Sequence, residues 1–199
     1  MAEQPPKSPR VRLFVALDLP DAVRDGLRTW SGRALTDPAL RPVPAENLHI
    51  TLAFLGQRPE EEVGQIADLV AAGARPAPRV ALGDPVARPA PGRARLFALP
   101  AASSGVEELQ AALQERLVAE RLYEPERRSF WPHMTVARVR AEGRGSRRPM
   151  RVERPPGSLP AELRRPVFCR RLTLYRSELQ PSGARYVPLA QIKLSTGQQ

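Results

Sequence analysis

Two short stretches of this 199-residue chain share a pattern that suits acid–base chemistry. Residues 47–56 read NLHITLAFLG and residues 131–138 read WPHMTVAR, and they contain the only two histidines, His49 and His133. Each histidine is followed two residues later by threonine and four residues later by alanine. An imidazole gains or loses a proton near neutral pH, and a hydroxyl donates hydrogen bonds to phosphate oxygens. Two such units around one tetrahedral anion suit displacement at phosphorus, with one histidine as base and the other as acid.

Both stretches predict β-strands whose faces alternate. On the first strand the apolar face holds Leu48, Ile50, Leu52 and Phe54, and on the second it holds Met134 and Val136. The opposite faces hold His49, Thr51 and Ala53 on the first strand and His133, Thr135 and Ala137 on the second. The pattern therefore places each histidine beside its threonine, away from the core.

Other chemistries fit these residues less well. Two histidines hydrogen-bonded locally and partly buried are the plain structural alternative. A zinc site would have to use distant carboxylates as additional ligands. Cys169 paired with a histidine is a possible nucleophile, but it lies on an apolar strand where an inert core cysteine is the usual case. The stretch GRGSRR at residues 143–148 lacks a following helix and is weak as a phosphate-binding motif.

The remaining sequence predicts mixed strands and helices in one domain. Strands are expected at 11–17, 48–56, near 79–87 and 94–99, at 132–139, 167–179 and 184–194, the last two joined by the turn QPSG. Helices are expected from Pro20 and Asp21 to about Leu35, at 60–73 and at 104–121. Because strands and helices do not alternate regularly, we expect an α+β fold with mostly antiparallel sheet. The domain is predicted to span 11–194, with tails at 1–10 and 195–199 and an Arg/Pro-rich, partly mobile loop at 140–166.

The composition favours an anionic partner and an intracellular location. The formal charge is +10, and only Lys7 and Lys193 are lysines, so arginine supplies nearly all the basic groups. Arginine binds phosphate bidentately, which favours nucleic acid, although biased genomic composition explains an arginine excess equally well. Cys169 is the single cysteine, which excludes a disulfide and fits a reducing cytosol. No signal-peptide core and no apolar run of membrane-spanning length is present, so we expect a cytoplasmic protein without a membrane partner.

Four stretches of the chain resemble a known enzyme family. They are RLFVALDLP at 12–20, ENLHITLAFLG at 46–56, RSFWPHMTVARV at 128–139 and SELQPSGARYVPL at 177–189. They resemble the two-histidine phosphoesterase superfamily, and within it the bacterial and archaeal RNA 2′,3′-cyclic phosphodiesterases, once described as 2′-5′ RNA ligases. Residues 140–166 carry no such resemblance.

The resemblance implies a bilobal fold with two pseudo-symmetric lobes, flanking helices and the site in the central cleft. It implies hydrolysis of a 2′,3′-cyclic phosphate to a 2′-phosphomonoester without metal or cofactor. It implies that His49 donates a proton to the leaving oxygen, that His133 is the base acting on water, and that Thr51 and Thr135 hold phosphate oxygens. The expected substrates are RNA with a cyclic phosphate end or cyclic nucleotides, and we expect a monomer with no obligate protein partner.

Four further residues are candidates for substrate contacts. Arg138 and Phe54 each follow a histidine by five, where the family places an arginine and an aromatic residue. Strand alternation would turn both toward the core, so core packing is favoured for Phe54, whereas the charge of Arg138 favours a functional role if a β-bulge reverses the alternation. Phe130 and Trp131 are predicted either to stack a nucleobase or to plug the cleft edge.

Two rival functions remain open from sequence. One is a binding module for RNA or nucleotides that keeps the fold but has no useful turnover. The other is RNA joining through a 2′-5′ linkage by the reverse reaction, which would use the same residues.

Overall fold

A computed structural model describes residues 8–180 and 183–196 of the chain. Its strands are β1 (Arg10–Asp18), β2 (Leu40–Pro42), β3 (His49–Pro59), β4 (Arg79–Leu82), β5 (Val86–Arg88), β6 (Leu96–Ala102), β7 (His133–Val139), β8 (Val167–Phe168), β9 (Arg171–Gln180) and β10 (Gly183–Lys193). Its helices are α1 (Asp21–Ala34), α2 (Val63–Ala72) and α3 (Ser104–Ala119), with short 3-10 helices at Ala45–Asn47, Glu60–Glu62 and Ala161–Arg164. The predicted α+β class is confirmed.

The strands form two sheets, and every strand pairing found in the described residues is antiparallel. The first sheet has four strands in the order β10-β9-β1-β3. The second has six strands, with the path β2-β7-β6-β4-β8 and β5 paired to β6. Strand β3 of the first sheet contacts β7 of the second, and this contact brings together the two strands that begin with a histidine.

The helices form where apolar residues recur at helical spacing and pack onto the sheets. In α3, Val106, Leu109, Leu113 and Leu117 are fully buried, and in α1, Leu27 and Trp30 are buried. The odd-numbered residues Leu13, Val15 and Leu17 of β1 lie in the same core. On the opposite face of β1, Arg12 and Phe14 line the cleft between the sheets.

Two predicted strands are divided in the structure. The strand expected near 79–87 forms β4 and β5, which residues 83–85 separate. Residues 167–179 were expected as a single strand, but β8 pairs with β4 of the second sheet, whereas β9 pairs with β1 and β10 of the first. The chain changes sheets at Cys169 and Arg170. The break arises because the buried Cys169 is held there by its own backbone N–H, which donates to the Pro78 carbonyl at 3.0 Å. The expected turn QPSG includes residues 181 and 182, which lie outside the described part of the chain, as do most of the two predicted tails.

The Arg/Pro-rich segment 140–166 is irregular apart from its 3-10 helix, but it is anchored to three distant parts of the chain. Asp37 accepts hydrogen bonds from the backbone N–H groups of Glu153 and Arg154 at 2.9 and 2.7 Å. The Trp30 indole donates to the Ser158 carbonyl at 3.2 Å, and Asp84 accepts from the Leu159 N–H at 2.9 Å. The second half of the segment is therefore fixed by specific contacts, which a loop prediction from composition does not anticipate.

Candidate active site

Both His-x-Thr units face one cleft between the two sheets. The cleft has a volume of about 1090 Å³. Its lining includes six of the residues singled out from sequence: His49, Thr51, Phe54, His133, Thr135 and Arg138. The predicted juxtaposition of the two motifs is therefore present in the structure, and each sheet contributes one of them.

A β-bulge interrupts each motif at the same place. In β3, Thr51 pairs with Ala16 while Ala53 pairs with Val15, so Leu52 is an extra residue. In β7, Thr135 pairs with Ala98 while Ala137 pairs with Phe97, so Val136 is extra. A bulge shifts the alternation of side chains by one residue. Both strands consequently present their histidine, their threonine and the fifth residue after the histidine on one face.

The bulges overturn two expectations from strict alternation. Ala53 and Ala137 were placed on the cleft face, but they are 2% and 0% exposed and belong to the core. Core packing was favoured for Phe54, but its side chain is 41% exposed and lines the cleft, where the Arg12 guanidinium carbon lies 4.7 Å from its ring centroid. Arg138 also reaches the cleft, as the bulge alternative required.

The two imidazoles are held in equivalent ways. Nδ1 of His49 lies 2.8 Å from the Asn47 carbonyl oxygen, and Nδ1 of His133 lies 2.7 Å from the Trp131 carbonyl oxygen. Because a carbonyl oxygen only accepts, each Nδ1 must carry the hydrogen. Nε2 of each ring is left to exchange a proton, and in His49 it lies 3.1 Å from the Thr51 hydroxyl, which donates to it when the ring is neutral.

The surroundings of His49 disfavour its charged form. Its ring centroid lies 4.9 Å from that of Phe14 and 5.3 Å, edge-on, from that of Tyr186. Burial is the main cause that lowers the pKa of His49 from 6.5 to about 4, and the Asn47 carbonyl and the carboxylate of Asp18 act in the opposite direction. In the ligand-free protein His49 is therefore neutral at neutral pH.

Beneath His49 lies a carboxylate that sequence reasoning missed. Asp18, which is 2% exposed, pairs with His49 in the β1–β3 ladder. It accepts hydrogen bonds from Arg171 Nε and the Thr173 hydroxyl at 2.8 Å and from the Tyr175 hydroxyl at 2.9 Å. An acidic residue directly after the apolar run LFVAL at 13–17 was the available signal. This network places the negative charge of Asp18 near His49.

Trp131 packs on the second histidine. Its ring lies 4.3 Å from that of His133 at an interplanar angle of 12°, and the Arg88 guanidinium carbon lies 3.9 Å from the Trp131 ring centroid. Two planar groups at these distances must occupy opposite faces, so both faces of the indole are covered. Phe130 packs against the core. Neither residue lines the cleft, and this arrangement argues against base stacking by either.

Basic residues surround the cleft. Besides Arg138, the lining includes Arg12, Arg41 and Arg185, with Glu46 as the carboxylate among the lining residues. Arg41 and Arg138 are neighbours across the β2–β7 ladder. Tyr186 and Asn47 complete this part of the wall. The sequence showed the excess of arginine but not which arginines the fold brings together. Arginines grouped in this way favour an anionic ligand.

The alternative chemistries receive no geometric support. Cys169 is fully buried away from the cleft, and burial raises the pKa of its thiol to about 12, so it stays protonated. The stretch 143–148 is exposed and does not line the cleft. Within residues 8–180 and 183–196, no group of three or more His, Cys, Asp or Glu side chains is arranged to hold a metal ion. No helix in this part of the chain has the length and apolar character needed to cross a membrane.

Curated relatives match most of the chain. The chain is 34% identical over 194 residues to an RNA 2′,3′-cyclic phosphodiesterase of Thermus thermophilus, covering 92% of this chain and 90% of that protein. It is 29% identical over 178 residues to the RNA 2′,3′-cyclic phosphodiesterase of Escherichia coli K12, covering 89% and 93%.

Solved structures share the fold. A crystal structure of a Thermus thermophilus protein superposes with a TM-score of 0.76 at 32% identity, covering 94% of this chain and all of that one. Escherichia coli LigT complexed with 3′-AMP gives a TM-score of 0.73 at 27% identity, covering 94% and 99%. The family model of the 2′-5′ RNA ligase superfamily matches residues 19–159. The chain therefore belongs to the 2′-5′ RNA ligase superfamily.

Proposed function

We propose that this protein is a metal-independent phosphodiesterase that opens 2′,3′-cyclic phosphates of RNA ends or nucleotides to 2′-phosphomonoesters. The observation that carries the proposal is the pair of Nδ1-anchored imidazoles facing one arginine-lined cleft, each with a threonine on the same face. The relatives from Thermus thermophilus and Escherichia coli, which are named as RNA 2′,3′-cyclic phosphodiesterases, support it.

The proposed reaction is a displacement at phosphorus with two proton transfers. His133 Nε2 takes a proton from water as the water oxygen bonds to phosphorus, and His49 Nε2 gives a proton to the 3′ oxygen as the P–O3′ bond breaks. His133 ends protonated and His49 neutral, and exchange with solvent restores both. The division of roles follows the family resemblance, because the two anchored rings are nearly equivalent in geometry.

The lowered pKa of His49 makes its acid role depend on the substrate. A neutral ring at Nε2 cannot donate a proton, but an anionic cyclic phosphate bound beside it favours the protonated form. Thr51, whose hydroxyl contacts Nε2 in the free protein, is proposed to turn to a phosphate oxygen when substrate binds. His49 is therefore proposed to become a proton donor only in the complex with substrate.

The other cleft residues are assigned to substrate binding. Thr135 holds a second phosphate oxygen, and Arg138 balances the charge that develops on the phosphoryl group. Phe54, exposed in the cleft under Arg12, offers a ring for a nucleobase. We treat residues 11–194 as one bilobal catalytic domain acting in the cytoplasm, where the single buried thiol of Cys169 stays reduced.

Turnover of 2′,3′-cyclic AMP in EDTA across pH 5 to 9 tests the proposal. General acid and base groups each contribute roughly 10²–10⁴-fold, so His49→Ala and His133→Ala should each reduce kcat at least about a hundredfold. Gln65→Ala, which changes an exposed residue on α2, is the control and should leave kcat unchanged. Full turnover in either histidine variant would overturn the proposal. Nucleotide binding without turnover in the unmodified protein would favour the binding module instead.

A further inference from the structure

A second cavity lies outside the cleft at the junction of the two sheets. It has a volume of about 810 Å³ and shares no lining residue with the cleft. Its basic and aromatic lining consists of Arg79, Phe168, Arg170, Arg171 and Lys193, and we call it the junction cavity. From its chemistry we propose that the junction cavity binds single-stranded nucleic acid, by contacts to phosphates and by stacking of a base on Phe168.

The change of sheet at residues 167–171 creates the junction cavity. Phe168 pairs with Arg79 in the second sheet, and Arg171 pairs with Lys193 in the first. Between them, the Cys169 N–H donates to the Pro78 carbonyl at 3.0 Å, and the Arg170 carbonyl accepts from the Leu194 N–H at 2.8 Å. The backbone is thus fixed to both sheets, while the side chains of Phe168 and Arg170 extend outward.

The charges of this cavity are unevenly paired. Its two carboxylates already have partners, because Asp18 accepts from Arg171 at 2.8 Å and Asp21 pairs with Arg24. Arg79, Arg170 and Lys193 are exposed and make no ion pair with any described residue. Three cations that are not neutralised within one cavity favour a ligand with several negative charges.

An exposed aromatic ring stands among these cations. Phe168 is 37% exposed, and the guanidinium carbons of Arg79 and Arg170 lie 5.6 and 5.8 Å from its ring centroid. Both distances exceed the 3.9 Å between Arg88 and the Trp131 ring centroid, so neither guanidinium group lies closely on the face of Phe168. The ring can therefore stack a base while the arginines hold neighbouring phosphates, a combination with which proteins bind single strands. An inorganic anion or a lipid headgroup has no flat group to use this ring.

The position of the junction cavity suits an extended RNA whose end occupies the cleft. Asp18 connects the two regions, because it pairs with His49 on one side and with Arg171 on the other. Along β10, Tyr186 lines the cleft and Lys193 lines the junction cavity, and seven strand residues span roughly 23 Å. The identity of the ligand as RNA rests on the proposed function, whereas the existence of the site does not.

Fluorescence anisotropy with a 5′-labelled twelve-nucleotide RNA that ends in an ordinary 3′-hydroxyl tests the inference without any turnover. We expect Arg79→Gln combined with Arg170→Gln to weaken binding at least fivefold at low salt and to reduce the slope of log K against log salt by about 1.4, since each single-strand phosphate contact contributes about 0.7. Phe168→Ala should weaken binding at least about fivefold. Arg33→Gln combined with Arg75→Gln removes the same charge from exposed positions outside both cavities and should change affinity less than twofold.

The outcomes separate this inference from the proposed function. Unchanged kcat and KM for 2′,3′-cyclic AMP in the junction variants, together with weakened RNA binding, would support a separate strand-binding site. RNA binding lost in these variants while the unmodified protein hydrolyses no cyclic phosphate would support the site and reject the enzyme. Equal affinity in the junction and control variants would overturn the inference, as would junction variants that lose binding only to vesicles containing anionic lipid.

Discussion

His49 should make the stability of the folded chain depend on pH between 8 and 5. Its ring is packed between Phe14 and Tyr186, and burial lowers its pKa from 6.5 to about 4. In the unfolded chain the same imidazole takes up a proton near pH 6.5. As the pH falls toward 5, the imidazole therefore binds a proton in the unfolded state but not in the folded state, and the free energy of unfolding decreases.

The size of the effect follows from the two pKa values. With 6.5 for the unfolded chain and about 4 for the folded protein, the contribution is negligible at pH 8. Protonation of His49 in the unfolded chain lowers the free energy of unfolding by about 2 kcal/mol at pH 5 and by about 3 kcal/mol below pH 4. The experiment is limited to pH 5 and above, because carboxylates begin to titrate below pH 5.

Urea denaturation of the unmodified protein and of His49→Gln at pH 8 and pH 5 measures this contribution. The loss of unfolding free energy between the two pH values should be about 2 kcal/mol larger in the unmodified protein, because the variant lacks the titrating group. Only two histidines are present, so their Cε1–H resonances in an NMR titration, assigned with His133→Gln, give the pKa of His49 directly.

Equal pH dependence of stability in the two proteins would show that the pKa of His49 is not lowered by folding, as would a His49 resonance that titrates near pH 6.5. A further consequence concerns the anion. Inorganic phosphate bound in the cleft should raise the pKa of His49, because a negative charge near Nε2 favours the protonated ring. A His49 resonance that shifts to lower pKa on adding phosphate would contradict the proposed acid role.

Three further predictions test other contacts. Trp131→Leu removes the ring stacked on His133, a contact worth about 1 kcal/mol, and should lower kcat on 2′,3′-cyclic AMP about fivefold with KM unchanged. Trp131→Phe should retain most activity, and a change in KM alone would contradict a positioning role. Phe54→Ala should raise KM for the same substrate about fivefold with little change in kcat if the ring stacks the base, and an unchanged KM would exclude that contact. Asp37→Ala leaves the N–H groups of Ala39, Glu153 and Arg154 without their acceptor and should lower the free energy of unfolding by roughly 3 kcal/mol in urea denaturation. Hydrogen bonds from these groups lower the pKa of Asp37 below 3.8, so the stability that Asp37 contributes is complete at neutral pH and is lost as the pH falls through the lowered value. An Asp37→Ala variant as stable as the unmodified protein at pH 7 would contradict this role of Asp37.

Local sequence pattern was sufficient for the part of the site nearest each histidine. The alternation of Leu48, His49, Ile50 and Thr51 correctly separates core from cleft, because regular strands turn successive side chains to opposite faces. The pattern fails after Thr51 and Thr135, where an extra residue enters each strand. Bulges depend on how a strand pairs with its neighbour, and this pairing is not visible in one strand's sequence.

Long-range pairing explains the other differences. Residues 167–179 form an almost continuous run of strand-favouring residues, but Phe168 and Arg171 pair with strands of different sheets, so the break depends on partners far away in the chain. Asp18 resembles an ordinary strand end until Arg171, Thr173 and Tyr175 are brought to it. The composition shows the excess of arginine, but only the folded structure shows which arginines lie in the cleft and which lie in the junction cavity.

The proposed hydrolysis is tested most sharply by the chemical structure of the product from a short RNA ending in a 2′,3′-cyclic phosphate. The RNA is incubated with the protein in EDTA and in ¹⁸O-labelled water, and the product is examined by mass spectrometry and ³¹P NMR. We expect one ¹⁸O atom in a terminal 2′-phosphomonoester, and no product with His49→Ala or His133→Ala. A 3′-phosphomonoester, or product formed at an undiminished rate by either histidine variant, would contradict the proposed hydrolysis.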